Sequence, residues 1–484
     1  MDLSFANVVT ILYYIAAVAT VIYVILDNRS PLKTISWILV LLFLPVIGLV
    51  FYFYFGHNFK KEKLFAGKRT LDYREFSRIV QEQSIDINQH RGRLHPDIQS
   101  KFKVINLLME VGKSRLSRNN RIKILKDGKN TFDEIISVLL MARKHIHIEY
   151  YIFENGEIAD RIKEILIRKA TLEHVVVRFI YDSVGSWNIS NDYLADLVKA
   201  GVKVESSLPV RFPTLTSKVN YRNHRKIVVV DGKTGFLGGI NISDKYVKGD
   251  PEMGVPWRDT HLRIDGDAVA DLQLIFLTDW YFLTDEEIGE ESVYFPECDV
   301  TDECIIQVLA SGPDTEYQGI MKAYFSAITT ARSSITIVSP YFIPNEAILT
   351  ALKTASGSGI DVKMIVPGVS DSKIVQYSSE SYFEELLESG VRIFLYHGGF
   401  IHSKLLMVDG ILSTIGTANL DFRSFEQNME VNAIIYDRNV TNQLLEQFEE
   451  DLEHSREIDL ERWKRRHRLR KIAESFARIL APIM

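Results

Sequence analysis

The sequence predicts an α/β protein of two similar halves with mixed central sheets packed around one active site, preceded by a two-helix transmembrane hairpin. Three observations predict it. The pattern H-x-K-x-x-x-x-D occurs at His224, Lys226 and Asp231, and again at His402, Lys404 and Asp409. In each copy a Gly follows the Asp by seven residues and an Asn follows that Gly by three, giving Gly238 and Asn241, then Gly416 and Asn419. Around both copies, helix and strand patterns alternate in the same order. Finally, the first 56 residues hold two long uncharged stretches. With Lys and Asp each near ~6% of residues, a single chance copy of the pattern is expected in roughly 0.04 chains of this length. Two copies that agree so deeply mark a duplication.

The uncharged stretches are Val8 to Leu26, nineteen residues, and Ile35 to Phe55, twenty-one. Each is long enough to cross a hydrocarbon core of about 30 Å as a helix. A polar turn, Asp27 to Lys33, separates them, and Tyr13, Tyr14, Tyr23, Trp37, Tyr52 and Tyr54 lie towards their ends, as interfacial aromatics do. A cleaved signal peptide is excluded because no basic region precedes the first stretch and a second follows at once. The turn carries Arg29 and Lys33, whereas Lys60, Lys61, Lys63, Lys68, Arg69 and Arg74 follow the second stretch. The positive-inside rule therefore places the large C-terminal part in the cytoplasm.

Each half then shows the same series. A helix ending in Ala142-Arg143 or Ala331-Arg332 leads to a strand, Ile146 to Phe153 or Ile335 to Ile343. A second strand follows, Val175 to Tyr181 or Val362 to Val366. An amphipathic helix comes next, closing on Gly201 or Gly390, where left-handed backbone ends a helix at little cost. The motif comes last and runs into Ile227 to Val230 or Leu405 to Val408. Such alternation gives an α/β layer. His and Lys two residues apart share one face of a strand and can reach one ligand together. The division this gives is a hairpin over 1–56, a polar connection over 57–120 with helices packing on half one, half one over 121–290, a linker over 291–304, half two over 305–455, and a basic amphipathic helix over 456–484.

A charged fraction of 25% and a formal net charge of -6 exclude a chain that stays unfolded or coats nucleic acid globally. Cys298 and Cys304 cannot form a disulfide framework, and no His lies close enough in sequence to complete a zinc site.

Two histidines, two lysines and two asparagines converging on one anion suit phosphodiester exchange. That reaction needs a nucleophile, an acid for the leaving alkoxide and neutralisation of the phosphoryl oxygens. One imidazole attacks phosphorus and the other moves the proton. Lys226 and Lys404 neutralise the non-bridging oxygens, and Asn241 and Asn419 donate hydrogen bonds to them. Each histidine needs a carboxylate behind it to fix its tautomer; Asp259 and Glu430, each opening a new apolar strand, are the candidates. Asp231 and Asp409 belong to the motifs, and each is expected to hold its turn by accepting backbone N–H groups. Ser424 and Asn428 are expected beside the second motif.

These residues resemble the phospholipase D superfamily, marked by the duplicated H-x-K-x-x-x-x-D motif. The segments around them, at 223–232, 238–242, 257–264, 339–344 and 416–425, are similar to those of the bacterial cardiolipin synthases, as are 28–34 and 44–48 in the hairpin. The resemblance implies that two phosphatidylglycerol molecules give cardiolipin and glycerol, with His224 as nucleophile and His402 as acid and base. It implies no nucleotide and no catalytic metal. The alternatives are a membrane-bound phospholipase D using water as acceptor, a nuclease of the same superfamily, and a membrane scaffold with inactive motifs. The acidic balance and the hairpin oppose the nuclease; the intact motifs oppose the scaffold. A lipid acceptor must exclude water, so a largely dry site is expected, with the apolar segment Pro209 to Leu215 available as a lipid entrance. Arg462 to Met484 is strongly basic, then amphipathic through Trp463, Leu469, Ile472, Phe476, Ile479 and Leu480, and suits an anionic membrane surface.

Overall fold

The computed structural model describes residues 5–27, 31–44, 47–48, 52, 74–93, 95–208, 221–288, 292–313 and 318–481. The segment 209–215, expected as a lipid entrance, lies outside them. Residues 1–69 with 210–220 form one compact unit, and 70–209 with 221–484 a second.

In the first unit, helices run over Phe5–Asp27 and Pro31–Phe43. The outward side chains from Ile15 to Phe43 include Val18, Ile22, Leu26, Leu39 and Leu42. Tyr52, expected at an interface, is buried, its ring edge-on to Trp37 at 5.2 Å. Among the described residues no helix is long and apolar enough to cross a membrane. Most of the second expected span lies beyond its described helix.

The second unit holds two large sheets. The strands in half one are β1 (Asn120–Leu125), β2 (His145–Tyr150), β3 (Val176–Asp182), β4 (Lys203–Ser207), β5 (Lys226–Val230), β6 (Thr234–Gly238), β7 (Trp257–Arg258) and β8 (His261–Gly266). Those in half two are β9 (Ile305–Ser311), β10 (Ser334–Val338), β11 (Phe342–Ile343), β12 (Asp361–Pro367), β13 (Arg392–Tyr396), β14 (Phe400–Ile401), β15 (Leu405–Val408), β16 (Leu412–Gly416), β17 (Leu420–Asp421), β18 (Glu430–Tyr436) and β19 (Ser455–Glu457). The first sheet has the order β1-β8-β6-β5-β2-β3-β4, and the second β9-β18-β16-β15-β10-β12-β13-β19. The two orders correspond strand for strand, with β19 as an added edge. Both sheets are mixed: β2 pairs in parallel with β3 and antiparallel with β5, as β10 does with β12 and β15.

Helices cover the outer faces. Asp127, Ser190, Asn345 and Asp437 each cap a following helix by accepting a backbone N–H. The helices Asn191–Lys199 and Phe383–Glu388 are followed by Gly201 and Gly390 at φ of +88° and +91°. The inner faces meet in one shared core, where Ile227, Val229 and Ile264 of half one pack with Val308, Leu405, Met407 and Val431 of half two. Burial on both faces explains why β5 and β15 read as continuous apolar runs and not as alternating ones.

One packing expectation is corrected. The helices Arg74–Gln89 and Phe102–Glu110 do not pack on half one; Val80, Ile87, Val104, Ile105 and Leu108 join the core of half two with Leu309, Ile320 and Tyr324. Lys101, fully buried, pairs there with Asp409.

Candidate active site

Both histidines lie where a segment of one half is zipped to a segment of the other. β7 pairs in parallel with β14, Trp257 opposite Phe400 and Arg258 opposite Ile401; the His402 amide then donates to the Arg258 carbonyl at 2.7 Å. Likewise Asn223 bridges Met429 in parallel, and the His224 amide donates to the Met429 carbonyl at 2.9 Å. One residue further along each pair, a histidine of one half meets a carboxylate of the other. His224 Nδ1 lies 2.8 Å from Glu430 Oε2, and His402 Nδ1 lies 2.7 Å from Asp259 Oδ2. The candidate carboxylates thus serve crossed partners.

Carboxylates only accept, so the His224 Nδ1 carries the hydrogen and its Nε2 has a free lone pair; the His402 Nδ1 stands between Asp259, which accepts, and the Lys404 ammonium 2.8 Å away, which donates. Among the described residues, neither Nε2 makes a hydrogen bond within the protein. Burial opposes ionisation of both carboxyls, but Lys404 and His402 beside Asp259, and His224 and Lys226 beside Glu430, hold them below the usual range. Thr417 Oγ1 and Asn428 Nδ2 donate to Glu430 at 2.5 and 3.3 Å, and the Thr260 amide donates to Asp259 at 2.7 Å. Burial brings each imidazole down to about 4, with Lys226 reinforcing the effect on His224 and Lys404 on His402. The site therefore holds neutral rings at pH 7.

The lysines sit just ahead of or at the start of their strands, since β5 begins at Lys226 and β15 at Leu405. This corrects the expectation of His and Lys side by side on a strand face. Lys226 Nζ donates to the His224 carbonyl at 2.7 Å, and Lys404 to that of His402. Burial lowers Lys226 to about 7 and Lys404 to about 8. Lys404 acts electrostatically on His224 and Lys226 on His402. The two motifs therefore form one site.

The asparagines differ. Asn241 Nδ2 donates to Tyr246 Oη at 3.1 Å, and Oη in turn lies 3.3 Å from His402 Nδ1. Asn419 is buried, its Oδ1 without a partner among the described residues. Ser424 is fully buried; its Oγ accepts the Asn419 amide at 3.0 Å, so it shapes the loop around Asn419. Asp231 and Asp409 belong to the motifs but are placed away from the rings, where they hold their turns as expected. Each stands at the far end of its strand, about 15 Å along, at φ of +54° and +58°. Each carboxylate accepts three successive backbone amides at the entrance to the neighbouring strand: Arg143, Lys144 and His145 for Asp231, and Arg332, Ser333 and Ser334 for Asp409.

Sequence reasoning missed an aromatic lining. Tyr151 lies edge-on to His224 at 4.7 Å, and its ring also faces Lys226 Nζ at 5.2 Å. Trp257, Phe400, Tyr246 and Tyr341 surround His402 at 5.2 to 6.2 Å. Their available signal was position: Tyr151 and Tyr341 follow β2 and β10, whose C-terminal ends lie beside the motifs. Among the described residues no group of three His, Cys, Asp or Glu is placed to hold a metal ion.

Twin mixed sheets that bring two His-Lys pairs to one buried site define a phospholipase D fold. The structure of phosphatidylserine synthase from Haemophilus influenzae superposes with a TM-score of 0.57 at 17% identity, over 79% of this chain and all of that one. The family model for the cardiolipin synthase phospholipase D-like domain matches residues 135–280 and 324–452, and that for the phospholipase D-nuclease N-terminal region matches 15–57. Cardiolipin synthase of Alkalihalophilus pseudofirmus is 44% identical over 98% of this chain and 93% of its own length; that of Geobacillus sp. is 45% identical over 95% and 90%. The chain belongs to the cardiolipin synthase family and is an enzyme of phospholipid biosynthesis that associates with membranes.

Proposed function

We propose that the enzyme transfers a phosphatidyl group from one phosphatidylglycerol to another, releasing glycerol and giving cardiolipin, through a phospho-histidine on His224. The observation that carries this reading is the pair of neutral, buried imidazoles, each fixed by a carboxylate of the other half. His224 Nε2 attacks phosphorus, its Nδ1–H held by Glu430. The bond from phosphorus to the glycerol oxygen breaks, and His402 gives that oxygen its proton. The hydroxyl of a second phosphatidylglycerol then attacks phosphorus, the phosphorus–nitrogen bond breaks, and His402 takes the hydroxyl proton. The incoming phosphodiester is an anion, which favours protonated imidazole, so His402 acquires its proton as the lipid binds. Lys226 and Lys404 neutralise the phosphoryl oxygens, and Asn241 and Asn419 border them. The hairpin holds this site at the plasma membrane through two spans, with the catalytic part in the cytoplasm, and the aromatic lining keeps water from competing with the lipid acceptor.

Turnover of labelled phosphatidylglycerol by wild type, His224→Ala and His402→Ala tests the reading. Cardiolipin with equimolar glycerol from the wild type, and both variants inactive, is the expected result. Phosphatidic acid as main product would assign hydrolysis instead. A base-stable, acid-labile phosphoenzyme that forms, however slowly, in His402→Ala and never in His224→Ala identifies the nucleophile; the reverse pattern exchanges the two roles.

A further inference from the structure

The C-terminal helix Arg468–Leu480 is attached to the protein by its charged side. Arg466 pairs with Glu384 and Glu474, Arg470 with Glu380 and Glu474, and Arg478 with Glu385. Glu474 and Ala477 are buried against half two. The helix presents the opposite side outward. Leu469, Ile472, Phe476 and Ile479, spaced to fall on one helical stripe, are 68, 51, 66 and 72% exposed. An ordinary surface helix turns its apolar stripe to the core and its charges to water; this one is inverted.

An inverted helix needs something apolar to cover it, and the charges around the stripe say what. Residues 462–481 carry eight Arg and Lys against one Glu. Arg462, Arg465 and Arg468 are exposed and make no ion pair among the described residues. An apolar stripe beside unpaired guanidinium groups matches the interface of an anionic bilayer, where acyl chains accept the stripe and phosphates accept the arginines. A second copy of this chain fits less well, since two such faces would bring like charges together.

We infer that Arg468–Leu480 is an interfacial membrane contact, lying in the plane of an anionic lipid surface with Leu469, Ile472, Phe476 and Ile479 among the acyl chains. The latch of ion pairs fixes the helix to half two, so the catalytic half is held against the bilayer independently of the N-terminal hairpin. This placement does not depend on which acceptor the enzyme uses.

The test uses the full chain in bilayer discs, carrying a nitroxide on Phe476→Cys, with the unsubstituted protein as control for label on Cys298 and Cys304. Discs contain either phosphatidylcholine alone or an equal mixture with phosphatidylglycerol. The expected result is a severalfold rise in oxygen accessibility over that of a water-soluble nickel complex in the mixed discs, and a smaller rise in phosphatidylcholine. Nickel accessibility equal to that of a label on exposed Val247→Cys in both discs would overturn the inference. Spin–spin broadening independent of lipid charge would assign the face to a second copy instead. As a second measurement, Ser at all four stripe positions is expected to raise the apparent KM for phosphatidylglycerol diluted in phosphatidylcholine while kcat stays near wild type. An unchanged KM would count against the inference.

Discussion

Replacing Glu430 by Gln acts on His224, which belongs to the other half, and the structure fixes the size of the effect. The carboxylate accepts the His224 Nδ1–H at 2.8 Å and is also met by Thr417 Oγ1 and Asn428 Nδ2. Both atoms of a carboxamide cannot accept, so its NH2 falls either at the Oε2 position, against the imidazole and Thr417, or at the Oε1 position, against Asn428. A hydrogen bond to a charged group contributes about 1.5–3 kcal/mol, which corresponds to roughly 10- to 200-fold in rate. Where the NH2 faces the ring, His224 reverses its tautomer and Nε2 loses its lone pair. The loss then approaches about 10⁴-fold, as when the aspartate of a Ser-His-Asp triad becomes asparagine. Rapid-quench measurement of phosphoenzyme formation on phosphatidylglycerol isolates the affected step. Glu430→Gln slows formation of the intermediate, whereas Asp259→Asn, which stands behind His402, acts on the proton transfers in both directions. Phosphoenzyme formation within threefold of wild type in Glu430→Gln, with the fold intact, would refute the crossed arrangement.

The pH profile of kcat/KM reports the lipid-free site: His224 gains a proton as pH falls through about 4, and Lys226 and Lys404 lose theirs as it rises through about 7 and 8. His402, at about 4, must also take up a proton before the glycerol oxygen can leave, so kcat/KM is expected to be highest near pH 4 and to decline above it, more steeply beyond about 7; a profile rising through pH 8 would contradict it. The buried rings bind fewer protons folded than unfolded, so stability should fall as pH drops from about 6.5 towards 4, measurable by denaturant unfolding of the detergent-solubilised enzyme. Asp231→Ala leaves three backbone amides without their acceptor, two of them at exposed positions that water can reach; about 1–3 kcal/mol of stability should be lost, while any folded fraction keeps near-wild-type kcat. Because β5 and β15 share one core, the two halves should unfold in a single transition by circular dichroism and by fluorescence alike.

Much of this was legible because the chain states it twice. The sequence of elements along each half follows from repeated signals: an apolar run after Ala-Arg, a helix closing on Gly201 or Gly390, a buried run after each motif. The histidines and lysines were found by pattern, and Asp259 and Glu430 by position, each opening a strand after its Asn. Which carboxylate serves which histidine was not legible, because the pairing arises between β7 and β14 and between Asn223 and Met429, segments 143 and 206 residues apart at Asp259–His402 and His224–Glu430. No local periodicity encodes such a contact. For the same reason Phe102–Glu110 was assigned to the wrong half, since its amphipathic face says that it packs but not on what. The aromatic lining was missed because Tyr151, Tyr246 and Tyr341 read locally as ordinary strand and helix residues. The inversion of Arg468–Leu480 was also hidden: the sequence shows two faces, and only the acidic residues Glu380, Glu384 and Glu385 of half two decide which one turns inward.

The crossed carboxylates give the duplication a physical consequence. A half on its own has a histidine without the group that fixes its tautomer, and a carboxylate with no ring to hold. Its sheet would also expose the inner face that forms the shared core, with Ile227, Val229 and Ile264 of half one uncovered. Folding and site assembly therefore depend on the same contacts. The backbone registers that set Trp257 opposite Phe400 and Asn223 opposite Met429 also set each ring against its carboxylate. A slip of one residue in either pairing would turn the carboxylate to the opposite face. Two neutral imidazoles with equivalent partners leave the difference between nucleophile and acid to their surroundings. Those surroundings do differ: Tyr246, Trp257, Phe400 and Tyr341 crowd His402, while Tyr151 stands alone against His224 among the described rings. His402 also has Lys404 Nζ 2.8 Å from its Nδ1, an arrangement without a counterpart at His224. A ring so enclosed has little room to carry a phosphatidyl group, whereas moving a proton requires none.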